Sequence, residues 1–97
     1  MTSLAWDITY NKFNIGDSVR VKGKHCYWSG SEVTKINQFP INMTKAIILD
    51  IIIAGEEISL PKYKSVTNKT NETIYYVDNI LDRGDHTFLM ESDIELI

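Results

Sequence analysis

The chain has 97 residues, 13 of them acidic and 10 basic, with a net charge of −3 and 43% hydrophobic residues. That size and balance describe one globular domain, and they exclude an intrinsically disordered chain or two independent domains. The acidic excess argues against general affinity for nucleic acid, which depends on many cationic contacts to phosphate.

Residues 1–12 have mixed polarity, and the alternation of Trp6, Ile8 and Tyr10 makes them an N-terminal extension or an extra strand ahead of a domain over 13–97. From Phe13 the pattern sharpens. Gly16-Asp17 makes a turn, and Val19 and Val21 then face one side of a strand while Ser18, Arg20 and Lys22 face the other. Gly23 ends that strand, Gly30 supplies a flexible corner, and Val33 and Ile36 resume an alternating pattern as far as Phe39-Pro40. The segment "KAIILDIIIAGEEISL" predicts a hairpin, with an isoleucine-rich strand over Ala46–Ile53, a turn at Gly55, and Ile58 and Leu60 returning. The apolar run is interrupted by Asp50 and is far shorter than the roughly 20 residues of a membrane span, so it reads as a buried strand rather than a membrane segment. Residues 62–73 are polar and rich in Asn, Thr and Lys, which predicts a long exposed loop. Short strands follow at Ile74–Val77, Ile80-Leu81, Thr87–Met90 and Ile94–Ile97, separated by turns at Asp78-Asn79, "DRGD" and "ESD". No helical period competes, so the expected fold is mostly β. A small barrel is the economical closure for strands this apolar, because it removes exposed edges.

Two stretches carry a resemblance. "FNIGDSVRVKG" and "FLMESDIELI" resemble the first and last strands of the small SH3-like barrels of bacteria and their phages, among them KOW-type modules and the C-terminal cell-wall-binding modules of phage lysins. The matching positions are Phe13, Gly16, Asp17, Val19, Val21, Trp28, Gly30, Ser92, Asp93, Ile94 and Glu95. Glu32 and Val33 stand where the KOW pattern has a second glycine, "EVTKINQF" lacks the proline-tryptophan pair of the lysin modules, and the middle from Ile41 to Thr73 exceeds a minimal barrel. The resemblance therefore implies a small SH3-like barrel with an enlarged central hairpin and loop.

Barrels of this kind line a ligand groove with aromatic residues from loops around the first long hairpin. That implies ligand contacts from Tyr27, Trp28, Tyr75 and Tyr76, with one of the adjacent Tyr75 and Tyr76 facing outward. Residues 62–73 would add a second contact. Arg20, Lys22 and Lys24 share a strand face and are the candidate nucleic-acid contacts, although the acidic balance favours a solvated face. His25 and Cys26 are neighbours on a strand and point to opposite faces, so they are poorly placed to share a proton. No pair among His25, Cys26, Asp85 and His86 has a zinc-like spacing. No catalytic residue, metal or cofactor is expected. The "RGD" at Arg83–Asp85 reads as a turn, and the sequons at Asn42, Asn68 and Asn71 as compositional accidents.

The lone Cys26 cannot form an internal disulfide, and "MTSLAWDITYNKF" lacks the basic and apolar regions of a signal peptide, so a cytoplasmic location is expected, in the host cell if the chain is phage-encoded. The expected function is non-enzymatic binding of a protein or small ligand through an aromatic corner, in a small bacterial or phage accessory protein. The alternatives are a lysin-type peptidoglycan-binding module, a phage inhibitor or sponge of a host defence component, and a KOW-like nucleic-acid binder. The run Ala46–Ile53 also suggests a homodimer contact.

Overall fold

The computed structural model describes residues 12–27, 31–60 and 63–97, the side chains of Tyr63 and Lys64 excepted. Ten strands are present among them: β1 (Ser18–Val21), β2 (His25–Tyr27), β3 (Glu32–Val33), β4 (Gln38–Pro40), β5 (Lys45–Ile52), β6 (Glu57–Leu60), β7 (Tyr63–Asn68), β8 (Ile74–Asn79), β9 (His86–Met90) and β10 (Ile94–Leu96), with one 3-10 turn at Glu91–Asp93. The fold is mostly β, as the alternation predicts. Seven strands form an antiparallel sheet in the order β10-β1-β5-β8-β9-β2-β4, curled into a half-barrel, and β3-β7-β6 form a second sheet. The extra strand read from Trp6, Ile8 and Tyr10 lies outside the described residues.

The first turn forms as the sequence implies. Gly16 has φ +94°, a left-handed conformation that other residues adopt at a cost. The Asn14 amide donates to the Asp17 carboxylate at 2.8 Å, and the Gly16 amide donates to the Ile48 carbonyl at 2.8 Å. This pins the start of β1 against β5. Val19 is then fully buried while Arg20 is exposed.

Strand pleating sends alternate residues of β8 and β9 into two different cores. Tyr75, Val77 and Leu89 join Phe13, Val19, Met43, Ala46, Ile48 and Ile94 inside the curled sheet. Ile74, Tyr76, Phe88 and Met90 pack on the other side with Val33, Leu60 and Val66 of the second sheet. All six residues of β8 are therefore buried.

A bulge in β5 completes the arrangement. The register with β8 shifts between Ile48 and Asp50, so Ile48 lies opposite Val77 but Asp50 lies opposite Tyr76. One extra residue reverses which face every later side chain meets. Without it Asp50 would follow Ala46 and Ile48 into the barrel interior. With it Ile51 packs on the interior cluster, Ile52 enters the second core, and the Asp50 carboxylate accepts from the Ile51 amide at 2.9 Å.

Three expectations are corrected. β5 and β6 do not form a hairpin: β5 pairs with β1 and β8, and β6 pairs with β7 in the other sheet. The segment 62–73 is not a long exposed loop, because Tyr63–Asn68 is a strand with Val66 and Asn68 fully buried. Its polar residues serve that placement. The Asn68 amide donates to the carbonyls of Ile52 (2.9 Å) and Glu72 (2.7 Å), and its oxygen accepts from the amide and hydroxyl of Thr70. Ile80-Leu81 belongs to the turn after β8 rather than to a strand.

Candidate ligand cleft

Where the large sheet ends at β4, the half-barrel is open. β2 pairs with β4, with Cys26 opposite Phe39 and His25 opposite Pro40, and meets β9 on its other side at Tyr27 and Phe88. Pro40 has no amide hydrogen to offer a further strand, which suits it to this outer position. The ladder runs one residue further, with the Ile41 amide bonded to the Lys24 carbonyl at 3.0 Å. Between residues 39–43 and the start of β9 lies a cleft of about 490 Å³. Its apolar wall is Cys26, Tyr27, Phe39, Pro40, Ile41 and Met43, and its polar side is Asn42, Asp85, His86 and Thr87.

The polar side is held by the turn between β8 and β9. Asp78, 3% exposed, accepts from the Gly84 amide at 2.8 Å, from the Arg83 guanidinium, and faces His86 Nε2 at 3.4 Å. His86 Nδ1 lies 2.8 Å from the Tyr76 hydroxyl. One ring nitrogen thus meets the phenol and the other faces the buried carboxylate. Gly84, at φ +98°, lets the chain reverse, and Asn79 bonds the Asp85 backbone carbonyl at 3.0 Å. The "RGD" is thus a folded turn whose arginine is tied to Asp78.

Burial would raise the Asp78 carboxyl, but the hydrogen bond and charge of Arg83, the Gly84 amide and the His86 ring outweigh it and hold the group below its usual range. Burial raises the Tyr27 phenol, aided by the charges of Asp93 and Glu72. At the other end of β8, burial and the hydrogen bond to Glu91 at 2.6 Å hold the Tyr75 phenol far above its usual range.

The structure sorts the sequence candidates unevenly. Tyr27 reaches the cleft wall while 9% exposed. Trp28 lies outside the described residues. Tyr75 and Tyr76 do point to opposite faces, but neither is outward: both are core side chains, 0% and 3% exposed, because the second sheet covers the face that a lone barrel would leave open. The basic stripe is partly neutralised, since Arg20 pairs with Glu95 at 3.0 Å across β10, while Lys22 and Lys24 are exposed. Cys26, Asp85 and His86 do converge on one cleft, yet no group of three such residues among those described is placed to hold a metal ion. Within the apolar run Ala46–Ile53, Ala46, Ile48 and Ile52 are buried and Leu49 and Ile51 pack against the cores, while Ile47 and Ile53 are half-buried.

Phe39, Ile41 and Met43 were not singled out as site residues by the sequence. One signal was present: a proline within a strand marks an outer strand, so the phenylalanine before it sits where a face can stay open. Compared with known proteins, the chain matches no family model, no curated protein and no solved structure. Among the described residues no helix is long and apolar enough to cross a membrane.

Proposed function

We propose that the chain is a non-enzymatic binding module whose cleft takes a small ligand or an apolar side chain of a protein partner. The observation that carries this reading is the cleft itself: about 490 Å³ with an apolar wall and a few polar groups on one side, within the roughly 300–1,000 Å³ range of ligand sites. The non-enzymatic reading is supported by the placement of His86, whose Nδ1 meets the Tyr76 hydroxyl and whose Nε2 faces the Asp78 carboxylate rather than Cys26. A bacterial or phage accessory protein working in the cytoplasm is the setting that the SH3-like resemblance and the unpaired Cys26 support. The nucleic-acid reading has less behind it, because Glu95 already neutralises Arg20.

A fragment titration of ¹⁵N-labelled protein tests the proposal. Amide shifts are expected at Ile41, Asp85 and Thr87, and Phe39→Ala should weaken the best fragment about five- to tenfold, the worth of one aromatic contact. Fragments that shift only amides remote from these residues would remove the cleft as the site.

A further inference from the structure

The polar side of the cleft has a definite charge character. Among the described residues no lysine or arginine lines it, and Arg83, in the turn that carries Asp85, is tied to Asp78. His86 turns its nitrogens toward Tyr76 and Asp78. Asp85 differs: it is exposed, and among the described residues its carboxylate has no ion-pair partner and accepts only a long 3.4 Å contact from the Asn79 side-chain amide. An unneutralised carboxylate thus borders an apolar wall that includes Tyr27, Phe39 and Met43. By contrast, the acidic residues at the opposite end of β8 are already used: Glu91 accepts from Tyr75 and the Lys12 amide, and Glu72 from the Ser92 amide.

Charge complementarity selects the occupant. An anion would meet Asp85 with no cation to offset it, and a neutral apolar molecule would leave that carboxylate beside an apolar surface. A ligand with an aromatic or aliphatic body and one ammonium group satisfies both sides, because its body covers the wall while its charge faces Asp85 and the aromatic rings. Resting on the binding reading above, we propose that the cleft is a site for small amphipathic cations of the arylalkylamine type, with Asp85 as the residue that selects the charge.

The test compares three probes of one shape, phenethylamine, phenethyl alcohol and 3-phenylpropanoate, by amide shifts and calorimetry at neutral pH. The amine should bind about two- to fivefold more tightly than the alcohol, as expected for one solvent-exposed ion pair, and the carboxylate most weakly. Asp85→Asn should abolish the amine's advantage while leaving the alcohol's affinity within about twofold, and 1 M salt should shrink the same advantage in the unaltered protein. The alcohol's binding to the variant also reports that the variant is folded. Equal affinity for amine and alcohol in the unaltered protein, or an advantage that survives Asp85→Asn, would overturn the charge selection and leave the binding reading standing. If none of the three probes shifts a cleft amide at millimolar concentration, the arylalkylamine proposal is overturned, and the fragment titration decides the binding reading separately.

Discussion

At the scale of single residues, Asp78 carries the most consequence. It is a buried carboxylate that joins Arg83, Gly84 and His86, and so sets the turn that delivers Asp85 to the cleft. Asp78→Asn should cost roughly 1.5–3 kcal/mol in urea unfolding at neutral pH, the worth of a hydrogen bond to a charged group. The pH dependence has a fixed sign. Because the folded protein holds this carboxyl below its usual range, its contribution is complete above the unfolded value of about 3.9, and it is lost as pH falls from there through the folded value. The stability gap between the two proteins should therefore close as the pH falls below about 4, which a series of urea melts would show. Gly23 is tied to a close approach of a different kind. A Cβ there would lie 2.5 Å from Asp93 Oδ1 and 2.7 Å from its Cβ. Gly23→Ala should destabilise by about 1–3 kcal/mol, and Asp93→Ala should recover only part of the loss, since the Asp93 Cβ remains.

At the scale of elements, β7 shows what composition hides. Its Asn68 looks like a loop residue and begins a sequon, yet it is fully buried and saturates its hydrogen-bonding capacity across β5 and the turn at 69–72. Asn68→Ala should cost at least ~2 kcal/mol in chemical denaturation, because it strands the carbonyls of Ile52 and Glu72. Asn68→Asp should cost more, since a carboxylate cannot donate to either carbonyl. The same element explains the pair Tyr75-Tyr76. Pleating separates their faces, as the sequence implies, but whether a separated face meets water depends on the second sheet, whose strands come from 32–33, 57–60 and 63–68.

At the scale of the whole molecule, the two cores share β5, β8 and β9, so they are expected to unfold together. Ile48→Ala in the barrel interior and Ile74→Ala in the second core should each cost about 2–5 kcal/mol, with circular dichroism and fluorescence transitions that coincide. Separate transitions would mean that the second sheet is an independent layer.

The sequence by itself determined the mostly β character, the strand at Ser18–Val21, the glycine turns at 16, 55 and 84, and the closing strand at Ile94–Leu96. These follow from side-chain alternation and backbone freedom, which act over a few residues. Only the tertiary structure decided that β5 pairs with β8 instead of β6, that a bulge turns Asp50 away from the barrel interior, and that Phe39, Met43 and Asp85 border one cleft. Strand pairing is settled by which faces can be buried together across long sequence distances, and local propensity carries little of that information.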